Sequence, residues 1–337
     1  KINNLTVLKS GIEFDREVDD TFFSIETLSY KHLTTENQQR EYLYPNIIYD
    51  IDNIDNNIFD GNVSLNNKLS YRKKLNDNYV SLVSSQLNWS NQKINKNFGF
   101  IYDNEANLRV TSISIDEKSR SDTSNIRFYP QLSSKISYPL LKSSMLFNQT
   151  LTPIIMPIFA PYNNYTEAQK ITNSNLFSAN RATSIYEWES GPRINYGIEW
   201  FINSTQGTDI KTVLGQNYRF NKLSNDTASE ISNYFINSNI NINLENYLDG
   251  SLIVDRDDLK IRSFNANTFS TFGDLVFALN YDYTSGKYNA PAEQIAVGGK
   301  YKLDNNLFIK FTGAKNIDTN KNIGYQYGIL YENDCLG

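Results

Sequence analysis

Apolar and polar residues take turns along most of this chain. In residues 62–72, Val63, Leu65, Leu69 and Tyr71 share one parity, interrupted by Asn67, while Asn62, Ser64, Asn66, Lys68, Ser70 and Arg72 take the other. Successive side chains on a strand point to opposite faces, so this period describes a strand with one greasy face and one wet face. Residues 193–202 repeat it. Ile194, Tyr196, Ile198, Trp200 and Ile202 oppose Arg193, Asn195, Gly197 and Glu199, with Phe201 as the exception. In residues 233–244, Tyr234, Ile236, Ile240, Ile242 and Leu244 alternate with Asn233, Asn237, Asn239, Asn241 and Asn243. Leu275, Phe277, Leu279, Tyr281 and Tyr283 form a further apolar face, and Ile323, Tyr325, Tyr327, Ile329 and Tyr331 form the last. Helical periodicity is almost absent.

Turn chemistry separates these runs. Asn76-Asp77-Asn78, Asn203 through Gly207, Asp249-Gly250, Asp304-Asn305-Asn306 and Asp318-Thr319-Asn320 are rich in residues that tolerate a left-handed backbone. Runs and turns together predict roughly 16–18 antiparallel strands, many of them the ~10 residues that a tilted membrane strand needs. An open sheet that wide would carry unpaired edges, and in lipid those edges find no water. The expected fold is therefore all-β, a single transmembrane barrel domain over 1–337, its wet face lining a lumen. The 23 Tyr and 19 Phe in a chain only 39 % hydrophobic suit such a two-faced wall. Trp89, Trp188, Trp200 and Tyr331 would suit the interfacial girdles. Lys68, Arg72, Arg193, Asn195, Glu199, Asn237, Asn239 and Asn241 are expected to face the lumen. Residues 153–192, with Pro153, Pro157 and Pro161, fit no long alternating strand and read as one irregular loop, extracellular or folded inward.

Chemistry is sparse. A net charge of −5 without a dense Lys/Arg block gives no footprint for nucleic acid. His32 is the only histidine, which weighs against a His-dependent triad and a multi-His metal site. No Gly-rich phosphate loop precedes a helix, and Gly298-Gly299 reads as a kink inside a strand. No catalytic, metal or cofactor residues and no enzymatic activity are expected of such a chain.

The middle of the chain carries a specific succession of motifs. Phe128-Tyr129-Pro130-Gln131 leads to Tyr138-Pro139-Leu140, Leu151-Thr152-Pro153 and Ala160-Pro161-Tyr162. Asn175-Leu176-Phe177, Arg181 and Glu189-Ser190-Gly191-Pro192-Arg193-Ile194-Asn195-Tyr196-Gly197 follow, then Gly215-Gln216-Asn217-Tyr218-Arg219 and Gly328 through Cys335. From about residue 40 onward this order resembles the C-terminal barrel of the LptD family, the lipopolysaccharide-assembly or organic solvent tolerance proteins. It departs from the family pattern at residues 170–174 and 184–188 and in Glu189-Ser190-Gly191. The resemblance marks Asn175, Leu176, Phe177, Arg181, Glu189, Gly191 and Arg193 as a family-motif loop.

The resemblance also implies a role. Such proteins sit in the outer membrane of Gram-negative bacteria and take lipopolysaccharide from periplasmic bridge proteins. They pass it through a lateral gate in the barrel wall to the outer leaflet, with a lipoprotein plug of the LptE type in the lumen. The family barrel is larger than the strand count here and follows a periplasmic domain. The expectation is that this stretch lacks the first and last strands and both sides of the gate. Cys335 is implied as a possible interdomain disulfide. The alternative reading is a passive porin or an uptake receptor, but a porin's constricting loop would carry opposed charges, and 153–192 is rich in Pro, Asn and aromatics.

Overall fold

The structure is a computed structural model. It describes residues 7–32, 40–54, 60–74, 78–117, 120–162, 175–182, 188–220, 230–243, 245–286 and 291–332. The strands are β1 (Val7–Val18), β2 (Thr21–His32), β3 (Arg40–Ile51), β4 (Asn62–Lys73), β5 (Tyr79–Ile94), β6 (Ile101–Glu117), β7 (Arg120–Ser137), β8 (Leu140–Ser143), β9 (Phe147–Phe159), β10 (Arg193–Ser204), β11 (Asp209–Arg219), β12 (Tyr234–Asn243), β13 (Asn246–Val254), β14 (Ile261–Phe272), β15 (Leu275–Thr284), β16 (Ala292–Asp304), β17 (Leu307–Asn316) and β18 (Lys321–Tyr331). All 18 belong to one sheet. From β1 to β7 and from β9 to β18 each strand pairs antiparallel with the next, and β9 pairs with both β7 and the short β8. Among the described residues no ladder joins β1 to β18.

The two faces follow the sequence alternation. On β10, Arg193 and Asn195 are completely buried, whereas Tyr196, Ile198 and Trp200 are exposed. The exposed face is the apolar one, which is the reverse of a soluble protein and the expectation for a wall whose outside meets lipid. Register carries this parity round the sheet. Ser84 and Thr111 share a hydrogen bond on the inner side, in the row that contains Lys68.

The connections also sort by end. At one end they are mostly tight, spanning 19–20, 205–208, 273–274 and 305–306; at the other they include 160–192, 220–233 and 285–291. Barrels of this kind turn tightly on the periplasmic side and loop outside.

Three expectations need correction. The irregular segment begins at 160, not 153, because 153–159 belong to β9. Its prolines are tolerated for a local reason. The Pro153 carbonyl accepts from the Tyr138 amide, so the missing N–H of Pro153, and of Pro157 four residues on, faces β7. There the ladder is broken, pairing only Leu132, Ser133, Ile136 and Ser137 with β9. Second, Asp249-Gly250 is not a turn but lies within β13, paired with Asn239 and Ser238. Asp249 serves as an acceptor for the Asn239 amide across the pair. Third, Trp188 is not in a girdle; it is buried in the inward loop described next.

Candidate functional site

The described parts of the connection from β9 to β10, residues 160–162, 175–182 and 188–192, fold into the lumen and lie on the inner faces of β6, β7 and β9–β11. Leu176 and Phe177 supply its apolar foot. Phe177 packs on a small core of Met156, Ile158 and Ala179. Leu176 reaches so close to the wall that a Cβ added to Gly215 would lie 2.7 Å from its Cδ2 and 2.5 Å from the Tyr196 carbonyl oxygen. Only glycine fits there. The loop backbone is then tied down: Gln131 Nε2 donates to the Ala179 carbonyl at 2.7 Å, and Arg193 donates to the same oxygen.

Asn180 turns the chain back on itself. Its Oδ1 accepts from the Ala182 amide at 3.2 Å and the Glu189 amide at 3.1 Å, which brings Arg181 opposite Glu189. Arg181 grips the Glu189 carboxylate with Nε at 2.7 Å and with Nη2. Arg193 Nη2 approaches Oε2, the oxygen that Arg181 Nε also bonds, at 3.2 Å, while its Nη1 donates to the carbonyls of Glu189 and Gly191. Arg219 Nη2 completes the set. The hairpin of β10 and β11 places these last two arginines directly opposite each other, with Asn195 opposite Asn217 and Gly197 opposite Gly215. Asn217 Nδ2 donates to Asn195 Oδ1 at 2.5 Å. Gly191, at φ +84°, closes the base by donating its amide to the Pro161 carbonyl.

Glu189 is completely buried. Burial alone pushes its carboxyl up, but Arg193, Arg181 and Arg219 together hold it below the usual carboxylate range. One buried carboxylate thus pairs with and orients three guanidiniums, and the set keeps a net positive charge. Arg109 closes the constellation from the neighbouring wall, its guanidinium 4.9 Å above the Trp188 ring, which itself stacks on Tyr129.

Of the motif residues marked by the sequence, the structure brings Leu176, Phe177, Arg181, Glu189, Gly191 and Arg193 into this one constellation. Asn175 opens it, its carbonyl accepting from the Ser178 amide at 3.0 Å. Asn195 joins from the lumen-facing set. The others stand apart. Glu199, further down β10, pairs with Lys211. Asn237, Asn239 and Asn241 line β12, where Asn237 bonds the Gly250 carbonyl. Lys68 and Arg72 lie on β4, Arg72 paired with Glu41. Cys335 lies outside the described residues. Sequence reasoning missed Arg219, Asn217, Gln131, Tyr129 and Arg109 as site residues. One signal was present: Arg193-x-Asn195-x-Gly197 returns in reverse as Gly215-x-Asn217-x-Arg219, the pattern expected when two antiparallel strands build one site from matching partners. Among the described residues no three His, Cys, Asp or Glu side chains converge as a metal cage would require.

A broad antiparallel sheet with an apolar exterior, tight turns at one end, long loops at the other and a loop locked inside defines an outer-membrane β-barrel protein. No helix among the described residues is long and apolar enough to cross a membrane. The chain belongs to the LptD family, described as LPS transport system D, whose model matches residues 3–307. A search of curated protein sequences gives no match. Membership carries a role in lipopolysaccharide transport and assembly at the outer membrane.

Proposed function

We propose that this chain forms wall and lumen of the translocon that inserts lipopolysaccharide into the outer leaflet. The observation that supports this reading is the asymmetry of the lumen. The loop is fixed against one wall by Glu189 and its arginines, while the inner face of β14–β18 has a stretch of small or amide side chains, Asn267, Asn280, Ala296, Gly298, Ala314 and Gly324, bordered by the stacked Tyr247 and Phe269 and by Lys300 and Lys310. A wet wall that carries lysines beside small and amide side chains suits a phosphorylated sugar headgroup and a lipoprotein plug of the LptE type, which would come from the same export system together with periplasmic bridge proteins. No bond is made or broken in this task, and energy would come from those partners. The protein would be integral to the outer membrane of a Gram-negative cell, long loops outside.

Depleting the protein in its own cells tests the reading. Newly made lipopolysaccharide should cease to reach the cell surface, measured by hydrazide labelling of oxidised sugars on intact cells. Unchanged surface labelling, with loss of small-solute uptake instead, would establish the porin alternative. Copurification of the full-length protein with a lipoprotein tests the plug separately.

A further inference from the structure

The outer wall carries a concavity that the lumen does not explain. One register row runs Val63, Trp89, Ala106, Leu132 and Phe159 across β4, β5, β6, β7 and β9. All five have outward parity, and Leu132 and Phe159 are more than half exposed. Ala106, the smallest of them, forms a low floor between larger neighbours. Beyond it the wall is irregular, because the β7–β9 ladder is interrupted and ends at the Leu132–Phe159 pair. The chain then turns inward through Ala160, Pro161 and Tyr162, which with Pro192 form a rigid rim. The result is a groove of about 1060 Å³.

Its chemistry is uniform. No charged side chain lines it, and of its two amides Gln131 is committed inside, to the Ala179 carbonyl. Clefts of ~300–1,000 Å³ hold drug-sized ligands, so this one is ample for a hydrocarbon chain. It is continuous with the apolar belt that faces the bilayer. An empty apolar hollow forfeits dispersion contacts along its lining, and water gains nothing there. The rim is built from the long-loop end of β9 and β10, which on the orientation proposed above is the outer-leaflet end.

We infer that this groove is a docking site for an acyl chain of lipopolysaccharide in the outer leaflet. It lies on the β4–β9 wall, three strands along the sheet from β1 and nine from β18. This inference rests on the proposed orientation and function. A chain seated over Ala106, between Trp89 and Phe159, would be held by contact alone and would leave its phosphorylated sugar at the level of Tyr162.

The test uses the full-length protein in its own cells, with a photoreactive benzoylphenylalanine in place of Phe159 or of Leu132. Irradiation should give lipopolysaccharide adducts at both positions. The same probe at Ile198, on the outward face of β10, should give markedly fewer. Ala106→Trp fills the floor and should abolish the Phe159 adduct; heat-modifiable migration on gels confirms that this variant has folded. Equal labelling at Ile198, adducts with phospholipid only, or an Ala106→Trp protein that folds and still labels would each overturn the proposal. Surface labelling after depletion reads the export function independently, so export can stand where the groove fails.

Discussion

The two walls of the lumen use the same residue types and treat them differently. Asn195 on β10 and Asn241 on β12 both have inward parity, yet Asn195 is completely buried and Asn241 is exposed. Every fully buried large side chain except Asp255 lies between Leu82 and Asn217. From β13 to β18 no residue of a described strand is buried. The difference is not in the strands, which alternate equally well on both sides. On β6, β7 and β9–β11 it comes from the loop between β9 and β10, which covers that wall, while β13–β18 are left to water or to a partner. Burial in this barrel is therefore a property of what lies on the wall.

Removing the charge at the centre of the covered wall should have the largest effect. Glu189→Gln leaves three buried guanidiniums without their carboxylate, and breaking a buried ion set in this way costs ~3–5 kcal/mol. The loop 160–192 should become open to added protease in intact membranes. Glu199→Gln, on β10 just beyond the loop but in a half-exposed pair with Lys211, should cost about 0–1 kcal/mol and leave the loop protected. Equal protease sensitivity of the two variants would remove the distinction between covered and open wall.

Next comes the distinction between inside and outside on the open wall. Ile240→Arg places a charge on the lipid face of β12 and should cost ~2–4 kcal/mol near the bilayer centre. Asn239→Arg points into the lumen beside Asp249 and should be far milder. Folding yield into lipid vesicles reads both, and equal damage would invert the assignment of faces.

A smaller effect separates two glycines. Gly215→Val meets Leu176 and the Tyr196 carbonyl and should cost ~1–3 kcal/mol by overpacking, reported as faster proteolysis of the loop. At Gly298, on the open wall, a Cβ would find its nearest atom, Thr312 Cγ2, 3.6 Å away. Gly298→Ala should leave folding yield and loop protection unchanged.

The strands were legible because alternation is a local signal; β4, β10, β12, β15 and β18 fall close to where the pattern puts them. The start of the loop was not, because Pro153 and Pro157 look like strand breakers unless the broken ladder beside them is known. Within the site, the order Asn175-Leu176-Phe177, Arg181 and Glu189 through Arg193 was readable, but the contacts were not. Glu189 meets Arg219 only because a hairpin puts residue 219 opposite residue 193, and Gln131 meets Ala179 only because the loop folds inward. Register and loop docking are long-range facts, and a sequence displays them only indirectly, as in the mirrored Arg-x-Asn-x-Gly of β10 and β11.

Acid should loosen the covered wall last and least. A glutamate in an unfolded chain titrates near ~4.3. In the folded protein Glu189 sits below its ordinary value, because the attraction of Arg193, Arg181 and Arg219 outweighs burial. A depressed carboxyl contributes stability that is fully present above the unfolded value and is lost as pH falls through the folded one. The loop should therefore stay protected from about pH 7 to about pH 5 and begin to open only below roughly pH 4. Hydrogen exchange of residues 175–192 measures it. In Glu189→Gln the same region should exchange quickly at every pH, since no carboxyl remains to titrate. Opening already between pH 7 and 5, or an acid transition that survives in the Gln variant, would mean that some group other than Glu189 holds the loop against the wall.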